Sequence, residues 1–232
     1  MNIRFDLQKK DKICYIFGAG DFYGLHTMPR ESDLVIAADG GLRYLDKLEI
    51  VPDIVVGDFD SEDEADSEAV IKKMKAQSNN PESCEKIKLL SVKDRSDSAE
   101  AILEGKRRGY KVFCLYGCTG GRLDHTLASI QDIAALSMDG MEGYIFDKGS
   151  ALTVITDSSI TFSESYRGML SVFSYTEECI KVRESGLKYI VANQKLDNRF
   201  PLGLSNEFTG MEARISVGRG SLLIYFELPE NA

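Results

Sequence analysis

Two carboxylates one residue apart, Asp58 and Asp60, follow the apolar run Ile54-Val55-Val56 and the turn residue Gly57. Anions this close raise each other's pKa unless a cation lies between them. Carboxylate oxygens suit a hard divalent ion, which makes the pair a candidate Mg²⁺ site. An acidic turn leading into a helix is the competing reading, and Ser61 is assigned to that role as N-cap, with Glu64 completing a capping box. Asp39, Asp94 and Asp97 each follow another apolar run. Asp39 sits in Asp-Gly-Gly, ordinary turn chemistry, and Asp97 in isolation reads first as an N-cap. The stretch Gly117-Cys118-Thr119-Gly120-Gly121-Arg122-Leu123-Asp124-His125 is of the opposite kind. Its backbone N–H groups and the helix start behind it form a natural phosphate cradle. Arg122 can grip phosphate oxygens in bidentate fashion. Carboxylates for Mg²⁺ opposite an anion cradle describe a site for a nucleoside triphosphate.

The elements that would bring these residues together alternate. Strands are expected over 12–17, 34–38, 54–56, 86–90, 111–116 and 144–146, and helices over 42–48, 62–77, from within 93–100 to about 108, and 123–138. On the last helix, Leu123, Leu127, Ile130 and Ala134 have the spacing of a buried face. Strands alternating with helices predict a mostly parallel, Rossmann-like sheet with helices on both faces. Such a sheet brings every strand's carboxyl end to one edge, where ligands bind. Asp39, Asp58, Asp60, Asp94, Asp97 and the 117–125 loop therefore fall on one rim. The segment Gly18-Ala19-Gly20-Asp21-Phe22-Tyr23-Gly24 approaches a dinucleotide fingerprint, but its third glycine comes one residue late and Asp21 interrupts it. It reads as a glycine turn.

From Ala151 onward helical periodicity disappears, and short alternating runs separated by turn residues predict an antiparallel sandwich or barrel. The expected domains are 1–147, α/β and nucleotide-binding, and 148–232, all-β. With 232 residues the chain can bury a sizeable core. A formal charge of −9 argues against a nucleic-acid partner. No apolar stretch reaches membrane-spanning length. Charges in the first six residues predict no signal peptide, and five cysteines without Cys-x-x-Cys predict free thiols and a cytoplasmic protein. Two histidines far apart make a zinc site unexpected.

The ordered set Ala38-Asp39-Gly40-Gly41, Pro52-Asp53 with Gly57-Asp58-Phe59-Asp60-Ser61, Lys93-Asp94 with Asp97, Thr119-Gly120-Gly121-Arg122-Leu123-Asp124-His125, and Pro201-Leu202-Gly203-Leu204-Ser205-Asn206-Glu207-Phe208 resembles the thiamine pyrophosphokinase family. The resemblance spans nearly the whole chain. It implies an N-terminal domain for ATP and Mg²⁺, a C-terminal domain that binds thiamine, and a homodimer with the thiamine site at the subunit interface. It also implies transfer of a diphosphoryl group from ATP, the co-substrate, to the thiamine hydroxyl, leaving AMP.

On that basis Asp58, Asp60 and Asp97 are assigned to Mg²⁺, with Asp39 and Asp94 as further members of the catalytic acidic cluster. Thr119, Gly120, Gly121, Arg122, Asp124 and His125 are assigned to the nucleotide, and Asp97 is the candidate proton acceptor. Asp124 would orient Arg122 or touch substrate, and His125 reads first as a packing residue at a helix start. Ser205, Asn206 and Glu207 are candidates for the thiamine pyrimidine, against a plain hairpin turn over 203–206. Where the family carries a glutamate this chain has Ala99, and Glu100 is the nearby substitute. Two rival functions are another Mg²⁺-dependent phosphotransferase and a non-catalytic nucleotide sensor.

Overall fold

A computed structural model describes residues 2–57, 68–74, 84–88 and 95–229. The chain forms two compact units, Asp11–Ser129 and a second that joins Met1–Lys10 to Ile130–Ala232. The first strand, β1 (Asn2–Arg4), belongs to the second unit.

In the Asp11–Ser129 unit, β2 (Cys14–Phe17), β3 (Leu34–Ala38), β4 (Ile54–Gly57), β5 (Glu85–Lys88) and β6 (Val112–Tyr116) pair in the order β6-β2-β3-β4-β5, every pair parallel. β2, β3, β4 and β6 are buried throughout, so they are continuous apolar runs rather than alternating ones. Phe17 registers with Ala37 on one side and Tyr116 on the other, so the carboxyl ends of these strands are level. Asp53 fixes the next register: its Oδ2 accepts from Val35 N–H at 2.8 Å and its own N–H donates to Val35 O at 2.9 Å. Helix α1 (Leu42–Leu48) follows a 3₁₀ turn over Asp39–Gly41, and residues 68–74 are helical. Helix α2 (Asp97–Arg107) packs across β2, β3 and β4.

Helix α3 (Leu123–Met138) has the bounds its periodicity predicts and buries Ala134 as expected, but its buried stripe is rotated from the predicted one. Leu123 and Leu127 are 72% and 54% exposed, whereas Ser129, Ile133, Ala134, Leu136 and Ser137 are buried. Both stripes satisfy helical spacing, and they differ by a rotation of less than a third of a turn. Packing selects the one whose apolar members, Ile133 and Leu136, close on Gly143.

The second unit is a β-sandwich. One sheet runs β13 (Gly203–Glu207), β10 (Met169–Ser174), β15 (Ser221–Glu227), β8 (Ser150–Thr156), β7 (Glu142–Asp147), all antiparallel. The other runs β1, β9 (Ser159–Phe162), β14 (Ala213–Ser216), β11 (Glu178–Ser185), β12 (Val191–Asp197), antiparallel except for the parallel pair β1–β9. Aromatic rings fill its core. Phe162 of β9 and Phe226 of β15 lie 4.8 Å apart by centroid, and Phe5 touches both Phe226 and Tyr144 at 4.9 and 5.0 Å. Residues 203–207 form the edge strand β13, which replaces the hairpin-turn alternative. A register shift between Leu170 and Val172 accommodates the left-handed backbone of Ser205, φ +61°. Among the described residues no cysteine forms a disulfide, and no helix is long and apolar enough to cross a membrane.

Candidate active site

The level strand ends of the parallel sheet surround one cavity of about 280 Å³. Turns after β2, β3 and β6 and the start of α2 supply its walls through Gly20, Asp39, Asp97 and Thr119, and the first turns of α3 close it with His125 and Ser129. Seven of the residues expected on the rim therefore meet there: Asp39, Asp97, Thr119, Gly120, Gly121, Arg122 and His125.

The turn after β2 and the loop after β6 are zipped together by main-chain bonds. Gly20 N–H donates to Gly117 O at 2.7 Å and Asp21 N–H to Thr119 O at 2.8 Å. A Cβ on Gly20 would lie 2.3 Å from Thr119 O, and one on Gly117, at φ +62°, 2.5 Å from Gly18 O. Gly18 and Gly20 of the fingerprint-like segment thus serve close packing of two loops, whereas Gly24 takes part in no such packing among the described residues. Arg43 Nη2 donates to Ala19 O at 2.7 Å, and the Tyr44 hydroxyl donates to Gly20 O, which fixes the turn from α1.

Each wall carries its polar group for a local reason. Asp39 opens the 3₁₀ turn at φ +52°, a region few non-glycine residues occupy, though Asp tolerates it better than most. Asp97 is not the N-cap of α2. Ser96 is, its Oγ accepting from Ala99 N–H at 3.2 Å, and Asp97 becomes the first helical residue beside the positive end of the helix dipole. Ala99 contributes that capping amide. Glu100 ion-pairs with Arg95 at 3.5 Å instead of lining the cavity. Arg122 meets Asp124 through two contacts, Nε–Oδ1 at 3.1 Å and Nη2–Oδ2 at 2.5 Å. That pairing lowers the Asp124 pKa.

Sequence reasoning missed Ser98 and Ser129 on the cavity wall, and gave Cys118 no role of its own within the loop it placed there. Cys118 is buried, 3.9 Å from Ser98 Oγ, and Ser129 Oγ donates back to His125 O at 3.0 Å. Their helical or loop phase was the available signal. Among the described residues the buried Thr119 hydroxyl oxygen has no hydrogen-bond partner, a polar atom poised on the wall.

Asp58, Asp60 and Asp94 lie outside the described residues, as do Ser61 and Glu64. Among the described residues no cluster of three or more His, Cys, Asp or Glu side chains could hold a metal ion. Asp39 and Asp97 nevertheless supply hard oxygen donors to one cavity. That fits Mg²⁺, which commonly takes one or two carboxylates and completes its shell with water and phosphate.

Ser205, Asn206 and Glu207 lie on β13 in the second unit. Ser205 is exposed and its N–H donates to Ser171 Oγ at 3.0 Å. Glu207 pairs with Lys188 at 2.7 Å. Asn206 is 4% exposed, and Glu184, which accepts from it, is 1% exposed. Burial pushes the Glu184 carboxyl up to about 7.

Two family models match the chain: the thiamin pyrophosphokinase catalytic domain over residues 25–145 and the thiamin pyrophosphokinase vitamin B1 binding domain over 157–222. No curated protein sequence matches it. Among solved structures, thiamine pyrophosphokinase from Bacillus subtilis superposes with a TM-score of 0.79 at 22% identity, covering 94% of this chain and 99% of that one. Thiamin pyrophosphokinase from Candida albicans gives 0.72 at 15% identity over 93% and 90%, and the yeast enzyme 0.70 at 15% over 99% and 92%.

Proposed function

The chain belongs to the thiamin pyrophosphokinase family, and we propose that the cavity at its strand ends holds the ATP whose diphosphoryl group the enzyme transfers to thiamine. The products are thiamine diphosphate and AMP. The observation that carries this reading is the convergence of Asp39, Asp97 and the Thr119–Arg122 loop on one cavity.

The thiamine hydroxyl oxygen forms a bond to the β-phosphorus as the bond from that phosphorus to the oxygen bridging it to the α-phosphorus breaks, and AMP departs. An alcohol is a weak nucleophile and the transferred group is highly anionic, so catalysis rests on positioning and charge neutralisation. Asp58, Asp60 and Asp97 would hold Mg²⁺, directly or through water, with Asp39 and Asp94 completing the acidic cluster. A bound Mg²⁺ supplies charge neutralisation on the phosphate oxygens. Gly120, Gly121 and Arg122 hold the nucleotide phosphates, with Thr119 and His125 beside them and Asp124 orienting Arg122. Asp97 accepts the hydroxyl proton.

The segment Ser205-Asn206-Glu207 serves thiamine. Tyr189, 60% exposed and bonded through its backbone to Asn206, supplies an aromatic face suited to the cationic thiazolium. By function the nucleotide falls to the region 1–147 and thiamine to 148–232, although the compact units are Asp11–Ser129 and the remainder, with β1 and β7 in the latter. A second copy covers the exposed Leu123 and Leu127 of α3 and the exposed Ile190, Phe200 and Leu204 of the second unit. Five cysteines with no disulfide among the described residues suit a reducing cytoplasm.

Incubation with ATP, Mg²⁺ and thiamine is expected to give AMP and thiamine diphosphate in equal amounts, and chelation by EDTA to stop it. Formation of ADP instead would mark an ordinary kinase; ATP binding without turnover would mark a sensor. Asp58→Asn is expected to lower turnover by about 10²–10³-fold with the fold intact. Sedimentation at micromolar concentration is expected to give a dimer.

A further inference from the structure

The Asn206 side chain is occupied on every side. Its Nδ2 donates to Tyr189 O at 2.8 Å and to Glu184 Oε2 at 2.9 Å. Its Oδ1 accepts from Tyr189 N–H at 3.0 Å and Glu207 N–H at 2.9 Å. An amide side chain offers two donated protons and two acceptor lone pairs, so its capacity is used up within the protein. Asn206 therefore fastens two backbone segments, the turn carrying Tyr189 and the edge strand carrying Ser205 and Glu207. Ser171 Oγ, accepting from Ser205 N–H, anchors the same strand from the other side.

Glu184 stands behind this clamp. It is almost fully buried, and among the described residues its Oε1 has no hydrogen-bond partner. A half-satisfied buried carboxyl is a poor core residue, since an apolar side chain of similar size would be as stable or more so. Burial raises its pKa, with the Asn206 contact the only influence that lowers it. What Glu184 supplies is the acceptor for the second Nδ2 proton, the bond that completes the hold on the Asn206 amide.

We propose that Glu184 is a positioning residue for thiamine: by accepting the second Nδ2 proton of Asn206 it holds in place the amide that ties the Tyr189 turn to Ser205–Glu207. The inference rests on the reading of that segment as thiamine-binding.

The test compares Glu184→Leu, which keeps bulk and removes the acceptor, with Glu184→Gln, which keeps one. Glu184→Leu is expected to raise the KM for thiamine about tenfold, the order expected for one buried hydrogen bond, with kcat and the KM for ATP within about twofold. Amide hydrogen exchange at Tyr189 is expected to quicken while β15 amides hold their protection. Glu184→Gln is expected to restore the thiamine KM to within about twofold of wild type.

An unchanged thiamine KM in Glu184→Leu, or equal rises in both KM values, would overturn the inference. If that variant does not fold, Glu184→Asp, whose carboxylate is drawn back by one methylene, carries the same comparison, and wild-type KM and wild-type Tyr189 exchange would sink it. Failure of the wild type to make AMP with thiamine would strike the proposed function instead. Tyr189 exchange would then still decide whether the clamp exists.

Discussion

Ser96 Oγ accepts the Ala99 amide at 3.2 Å, so the residue immediately before Asp97 caps helix α2. The carboxylate of Asp97 is thereby relieved of the task its sequence position suggests, and it lines the cavity. The two residues should separate experimentally. Ser96→Ala is expected to cost about 1 kcal/mol of stability with modest loss of activity, as measured by urea unfolding. Asp97→Asn is expected to leave the unfolding midpoint nearly unchanged and lower kcat by about 10²–10³-fold.

Arg122 and Asp124 give a second contrast. Both are exposed, so their pairing contributes little to stability, but it orients a guanidinium at the cavity mouth. Arg122→Lys loses the planar fork and is expected to lower kcat/KM for ATP by about 10–100-fold, without change in Tm. Asp124→Asn should have a smaller effect in the same direction, carried by the KM for ATP.

Gly20 tests the loop zipper. A methyl group there would sit 2.3 Å from Thr119 O and 2.8 Å from Gly117 O, both backbone atoms. Gly20→Ala is expected to destabilise by on the order of 3 kcal/mol and to lower ATP affinity, readable by calorimetry of unfolding and of nucleotide binding. Gly121→Ala meets no neighbouring atom, but φ +58° opposes a side chain, so a smaller loss, about 1 kcal/mol, is expected there.

Glu184 makes stability depend on pH. Its folded pKa, about 7, lies above the ordinary glutamate value of 4.5, so the folded state holds the proton more tightly. The associated stability is complete below about pH 4.5 and is lost as pH rises through about 7, to the extent of roughly 3 kcal/mol. Asp132, pushed by burial to about 6, acts in the same direction. The difference between wild type and Glu184→Gln therefore isolates Glu184: the gap in Tm should change between pH 5 and 8, and parallel curves would contradict the assignment.

Much of the first unit was readable from the chain. Buried parallel strands are continuous apolar runs, and each is followed by a turn former, so Leu34–Ala38 and Leu42–Leu48 emerge with the bounds expected of them. The convergence of Asp39 and Asp97 follows from parallel topology alone. Edge strands were harder: β1, β12 and β13 each terminate a sheet, and the Ala-Asn-Gln-Lys stretch of β12 is exposed, which erases the alternation that marks a strand. On α3 two stripes fit one period, and only packing distinguishes Leu127 from Ile133. The roles of Ser96 and Asn206 depend on which partner each side chain finds, Ala99 in one case and Tyr189 with Glu184 in the other. Local composition does not encode that choice.

The parallel pairing of β1 with β9 sets Asn2 beside Ser159, and Phe5 joins an aromatic core that includes Phe226. During synthesis the opening segment must wait for a partner that leaves the ribosome far later. At about 5–20 residues per second that delay is on the order of 10–30 s. Ile3 and Phe5 thus stay without their native partners on the growing chain until β9 and Phe226 have been made.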